Sequence, residues 1–216
     1  MRTLTYFILI TLVACEPSKV KVIAETYEDG NPRTIRYFNS KAESKENFLV
    51  GVSDGKGTAT KPISFDEEGF YENGKLEYKG HYINGKTSGL WEYFYETGIL
   101  AARSYYDSNG KSTDTVHCWF ESGNKKREII EIDTIKNLWH NIDYFDNGNK
   151  RVECYQTKDT SDNFKLNGPF KEWYDNGQLK VVATFKDGWT VGKWKEYELN
   201  GKLKEESDKA YSITIE

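Results

Sequence analysis

The chain has 216 residues, 37% of them hydrophobic, 15% aromatic and 30% charged, with a formal net charge of −4. That length suits one domain or one repeat array, and four prolines with no low-complexity run exclude a disordered chain. Lysines and arginines are spread along the chain, which excludes the basic patch of a nucleic-acid binder.

The apolar content is aromatic: 15 Tyr, 11 Phe and 6 Trp against a single Met. Tyr and Trp stand half-buried on a pleated sheet better than they fill a helical core. The N-terminus, MRTLTYFILITLVA (Met1–Ala14), places Arg2 before a mostly apolar run, Phe7–Val13. That run is far too short to cross the roughly 30 Å hydrocarbon layer as a permanent helix, so it reads as an export signal. It closes on Leu12-Val13-Ala14-Cys15: an aliphatic residue, a small residue, then Cys. These residues resemble the bacterial lipobox. The resemblance implies cleavage before Cys15, a diacylglycerol on its thiol, and a lipoprotein of the bacterial cell envelope, outer-membrane or periplasm-facing. Two or three acyl chains would anchor it stably, with the membrane itself as a partner. Residues 1–14 are then the signal and 15–22 the lipidated Cys and tether.

Residues 23–62 read as a degenerate N-terminal repeat, ending "YEDG" at Gly30, followed by an irregular segment. The segment contains "GVSDG" (Gly51–Gly55), which satisfies G-x-S-x-G with Ser53 as nucleophile. That motif has force only between a buried strand and a helix. "KGTATKPISF" follows without helical periodicity, so the match reads as coincidence.

From residue 63 to 208 the chain repeats. "FYENG" (Phe70–Gly74), "FYETG" (Phe94–Gly98), "WFESG" (Trp119–Gly123), "YFDNG" (Tyr144–Gly148), "WYDNG" (Trp173–Gly177) and "YELNG" (Tyr197–Gly201) place their glycines 24, 25, 25, 29 and 24 positions apart. Asn-Gly and Ser-Gly tolerate the positive φ of tight hairpin turns, so each motif is a strand running into a turn. Beyond the glycine the pattern alternates. Leu76, Tyr78, Gly80 and Tyr82 share one face, as do Leu179, Val181, Ala183 and Phe185. The position six past each turn glycine is mostly small (Gly80, Ser104, Ile129, Cys154, Ala183, Ser207), as expected where a neighbour packs close to the backbone. A second turn follows in "INGKTSGLW", "SNGKS" or "KDGWTVGKW". The unit is strand, turn, strand, turn in about 24–25 residues, which predicts an all-β fold: an elongated antiparallel β-hairpin meander built by repetition. Residues 209–216 form a C-terminal tail.

"GLWEYFYETGIL" (Gly89–Leu100), "GKWKEYELNGKL" (Gly192–Leu203) and "GPFKEWYDNGQL" (Gly168–Leu179) resemble the MORN-repeat variant of bacterial proteins. The resemblance implies the fold strongly. Members of that family are often labelled toxin–antitoxin system antitoxins, and MORN repeats elsewhere are linked to membrane association and protein scaffolding.

Dedicated chemistry is sparse. H-E-x-x-H, paired Cys ligands and a P-loop are missing from the sequence, so no metal or cofactor is expected. "DSNG" (Asp107–Gly110) begins like a calcium loop but lacks the later ligands. His81, His117 and His140 read as strand-face residues. Cys118 and Cys154 fall on strands three neighbours apart in a meander, about 14 Å, beyond the ~7 Å Cα separation of a disulfide. Two free, mostly buried thiols follow.

Trp91, Tyr93, Trp119, Trp173 and Trp194 are the candidate ligand surface, as an aromatic ladder for a glycan or peptide. Their repetition at fixed positions favours the other reading, a core made of aromatics. The expected function is a non-enzymatic envelope lipoprotein that binds or scaffolds a protein partner. The alternatives are an antitoxin or immunity-type protein that neutralises a toxin, or a glycan-binding surface module.

Overall fold

The computed structural model describes residues 19–50, 64–113, 115–158 and 163–213. Cys15, the signal segment and "GVSDG" with Ser53 lie outside the described residues. Fifteen strands make one sheet: β1 (Val20–Thr26), β2 (Pro32–Phe38), β3 (Ser64–Phe70), β4 (Leu76–Ile83), β5 (Lys86–Phe94), β6 (Leu100–Tyr106), β7 (Val116–Trp119), β8 (Lys125–Asp133), β9 (Leu138–Tyr144), β10 (Lys150–Lys158), β11 (Phe164–Trp173), β12 (Leu179–Lys186), β13 (Trp189–Thr190), β14 (Trp194–Tyr197) and β15 (Leu203–Ser207). Strand order follows chain order, except that β13 and β14 both pair with β12. Every pairing is antiparallel, so the chain is the repeated meander that the 24–25-residue period predicts.

Seven hairpins close at one end of the sheet on the same turn. Tyr71 N–H donates to Lys75 O (2.9 Å) and Gly74 N–H to Tyr71 O (2.9 Å), with Gly74 at φ 78°. A type I turn followed by a left-handed glycine is the three-residue hairpin with a G1 bulge, and Asn-Gly or Ser-Gly supplies the positive φ. The pattern recurs at Tyr27, Tyr95, Phe120, Phe145, Tyr174 and Glu198. A register shift accompanies it in each unit, for example at Tyr93/Phe94 and Glu172/Trp173. Two-residue turns at Asn84-Gly85 and Asp187-Gly188, all four residues at positive φ, serve the opposite end.

Among the described residues one helix leaves the sheet after β2, where the sequence reading has an irregular segment, while β2 and β3 still pair. α1 (Lys41–Val50) follows β2. Ser40 Oγ accepts from Glu43 N–H (3.2 Å) and Glu43 Oε2 accepts from Asn39 N–H (3.1 Å), a reciprocal cap at the helix N-terminus.

The two faces of the sheet differ. On the core face Val152, Cys154, Leu166, Phe170, Val181, Ala183 and Phe185 form a continuous buried cluster, with Trp194 packed against it. Toward the N-terminus the same face is aromatic: Trp91 is 2% exposed, stacked on Tyr78 (5.9 Å) and edge-on to Tyr82 (4.9 Å). Gly80 is required there, since a Cβ would sit 2.2 Å from the Trp91 ring. Ser104 pairs with Trp91, Cys154 and Ala183 with Phe170, and Ser207 with Trp194, so the small residues six past each turn lie beside the large rings.

The opposite face is ionic. Glu92 binds Lys79 (2.8 Å) and Arg103 (2.6 Å) across three strands; Glu128 binds Lys125 (2.9 Å), and Glu153 binds Lys150 (2.8 Å). In four of the six turn motifs the first aromatic stands among these charges with a cation over its ring: Lys79 on Phe94, Arg103 on Trp119, Lys125 on Tyr144 and Lys150 on Trp173, at 5.6–5.9 Å.

Candidate functional site

The five candidate aromatics do not form one ladder. Trp91 and Tyr93 sit on the core face with Trp194, whereas Trp119 and Trp173 sit on the ionic face. The cause is pleat parity. Tyr93 pairs with Ala102 and Ala102 with Cys118, so Trp119, one residue on, points the other way. Trp91 is buried and offers no surface to a ligand. The other four are partly exposed, and Trp119 and Trp173 each give one ring face to a cation.

A second arrangement is new to the structure. Ser64 Oγ lies 2.9 Å from His81 Nε2, and Asp66 Oδ1 lies 2.6 Å from His81 Nδ1. The connectivity is that of a Ser–His–Asp relay. It stands on the ionic face with His81 and Asp66 about a third exposed (34% and 35%), and Asp66 also binds Lys19. Burial pulls the Asp66 carboxyl up, but Lys19 and His81 outweigh it and hold it below its ordinary range. Free access of water removes the low dielectric on which such a relay depends. It reads as a polar cluster that ties the N-terminal strands together.

The feature that best qualifies as a site is a groove on the core face of β7–β11, built where the repeat departs from its own pattern. Seven residues before the turn glycine, the other copies from Gly98 onward place Trp91, Phe170 and Trp194; here the position holds Val116 and Asn141. Small side chains where a large ring is needed leave space. One cleft of about 240 Å³ is lined by Arg127, Asn141, Asp143, Cys154, Gln156 and Phe164, among others. A second of about 330 Å³ shares Arg127 and Asp143 and adds Phe120, Lys126, Phe145 and Arg151.

The electrostatics centre on Asp143. It is 4% exposed and binds Arg127 through both oxygens (2.5 and 2.9 Å) and Arg151 (2.8 Å). The Asp143 hydrogen bond raises the Arg127 pKa against the opposing effect of burial. The Arg151–Asp143 link has counterparts in Lys180–Glu172 and Lys204–Glu196 (both 2.6 Å), so it belongs to the scaffold. Lys126 occupies the same place in its hairpin but faces Cys118 instead of a carboxylate, and lies over the Phe120 ring at 5.7 Å. Burial pushes the Cys118 thiol up and that of Cys154 up to about 12, so both are neutral thiols; both are free, as their strand separation predicts. At the far end Asn141 Nδ2 donates to Gln156 Oε1 (2.9 Å). Beside it Trp139 Nε1 is buried and has no acceptor among the described residues.

The turns change chemistry at the same place. Tyr27, Tyr71, Tyr95 and Tyr174 donate their hydroxyls to the carbonyls of Phe70, Phe94, Trp119 and Tyr197 in the next unit (2.6, 2.7, 2.7 and 3.0 Å). Phe120 and Phe145 replace the tyrosine in the two middle units. There Asn124 donates to Asp146 O (2.6 Å) and Asn149 to Asp175 O (2.8 Å). The clasp is kept by an amide, and two phenyl rings are released to the groove wall. The sequence carries the signal, an exchange of Tyr for Phe paired with Asn just after the glycine. It emerges only when the repeats are compared column by column for what differs.

The fold defines the class: an open antiparallel β-hairpin repeat array, with a surface that extends by whole units. Segments 66–84, 88–108, 166–187 and 190–208 match the family described as MORN repeat variant. The unmatched stretch between the second and third segments is the one that carries the groove. No curated protein matches the chain.

Proposed function

We propose that this protein is a non-enzymatic binding or scaffold module for a protein partner, exported and held at the cell envelope by a lipid on Cys15. The observation that carries the binding reading is the groove. Four segments keep the repeat pattern, while the two central units exchange core aromatics for Val116 and Asn141 and gather Lys126, Arg127 and Arg151 on the same face. Strand pairing runs unbroken through that region, so the sheet does not need the departure in order to extend. Repeat sheets with local departures of this kind work by presenting side chains on a rigid frame.

The test is crosslinking and pull-down of the anchored protein in its own cell. A stoichiometric protein partner supports the reading; recovery of the protein alone at several crosslinker lengths refutes it. The anchor is tested separately by Cys15→Ala, which should move the protein from the membrane to the soluble fraction. Unchanged partition would refute lipidation at Cys15.

A further inference from the structure

The groove has a charge and a shape that narrow its occupant. Lys126, Arg127 and Arg151 face Asp143 and Asp146 in the wider cleft, a local excess of one positive charge in a chain whose formal charge is −4. Asp143 is already occupied by two guanidinium groups, and Asp146 accepts from Ser122 and Asn124. Lys126, with a thiol across its hairpin, forms no ion pair among the described residues. A carboxylate entering the cleft would complete the pairing that Glu172 and Glu196 supply to Lys180 and Lys204 in the later hairpins. Arg151 uses one guanidinium nitrogen on Asp143, and the fork geometry of that group leaves further N–H donors pointing elsewhere.

The shape is elongated along the strands. The two clefts join at Arg127 and Asp143 and run from the phenyl rings near the turns to Asn141 and Gln156. Asp143 and Asn141 mark the pleat repeat on this face, about 6.8 Å for every two residues. An extended peptide has the same pitch, so its alternate side chains would meet the cationic and amide stations in turn. The amides can bond to its backbone, and the phenyl walls accept an apolar neighbour.

We infer that this groove binds an extended acidic segment of a partner protein, with a Glu or Asp carboxylate seated at Lys126 and Arg151 and an aromatic or aliphatic side chain two residues away against Phe120 and Phe145. The inference rests on the binding reading above and specifies its site and chemistry.

The test uses the full chain and two blocked, fluorescein-labelled hexapeptides, Phe-Ser-Glu-Ser-Phe-Ser and its counterpart with Gln for Glu, which put the acid or amide and the phenyl rings on one side, read by fluorescence polarisation. The Glu peptide should bind and the Gln peptide should bind at least tenfold more weakly. Lys126→Gln, which breaks no ion pair among the described residues, should weaken the Glu peptide roughly fivefold, the scale of one partly exposed charge pair. Asn141→Phe restores the aromatic found in the other units; it should fill the groove, raise the melting temperature and abolish binding. Equal binding of the two peptides, no binding of either, or full binding by Asn141→Phe would each overturn the inference. Capture of a cellular partner that is indifferent to Lys126→Gln and Asn141→Phe would also overturn it while leaving the scaffold reading intact. Peptide binding with no cellular partner captured would support the groove and sink the scaffold.

Discussion

Gly80→Ala is the sharpest test of how the core face is built. The added Cβ would lie 2.2 Å from Trp91 Cδ2, 2.3 Å from Cε2 and 2.7 Å from Cε3. Carbon atoms in ordinary contact stand 3.5–4.0 Å apart, so the indole would have to retreat by more than ~1 Å. It has nowhere to go. Trp91 is 2% exposed, packs against Tyr78, Tyr93 and Tyr82 at 5.9, 6.1 and 4.9 Å, and donates its N–H to His81 O (3.2 Å). Overpacking of a rigid site costs about 1–3 kcal/mol, and a fixed indole places this substitution at the upper end, about 3 kcal/mol. For a domain of this size that is roughly 6–12 °C in melting temperature. Urea unfolding followed by tryptophan fluorescence would measure it. The same substitution should cost under about 0.5 kcal/mol in a Trp91→Leu background, since the double-mutant cycle removes the clash. A Gly80→Ala protein as stable as the parent, or an equal cost in both backgrounds, would refute the reasoning.

The turn clasps, the tyrosines and the thiols each give a further outcome. Tyr95→Phe removes one hydroxyl donation to Trp119 O and should cost about 1 kcal/mol by chemical denaturation. Asn124→Ala, which removes the amide clasp to Asp146 O, should cost a similar amount; no change in either would show that the clasps are decorative. Burial raises the pKa of Tyr37, Tyr78 and Tyr93 to about 12, helped by Glu68 at Tyr37 and Glu67 at Tyr78. Because the neutral phenol is favoured in the fold, this stability is complete below the unfolded value near 10 and is lost as pH rises toward 12. Phenolate absorbance should therefore lag that of free tyrosine and appear together with unfolding; ionisation of all tyrosines near pH 10 in a folded chain would contradict it. Iodoacetamide at pH 8 should leave Cys154 unmodified until denaturant is added, and mass spectrometry of the labelled protein reads this directly.

Much of the architecture is legible in the sequence because a meander depends on local signals. Turn glycines at a 24–25-residue spacing and period-two alternation specify the hairpins, and the predicted face of Val181, Ala183 and Phe185 is the buried one. The α1 cap was equally visible as Ser40-x-x-Glu43, but it is a short signal inside an otherwise irregular stretch. The aromatic ladder failed for a different reason. Trp91 lies seven residues before its turn glycine and Trp119 four before its own, and that odd difference puts the rings on opposite faces of the pleat. The groove was hidden because repeats draw attention to what is kept. Val116, Asn141, Phe120 and Phe145 stand out only as departures, and cross-strand register is needed to show that they fall together.

The two kinds of clasp have a consequence for how the array comes apart. A repeat protein behaves as a one-dimensional lattice, in which each unit is weighed against its neighbours through interface terms. Three tyrosine clasps bind the units up to β7, and another joins β11 to β14; the two couplings between them rest on exposed amides that water can replace. The softest bonds of the lattice therefore fall in its interior. Under tension or denaturant the sheet should part across β8–β9, short of the buried cluster on β10–β12, into two blocks before either end frays, an order that pulling experiments would record as a central first break.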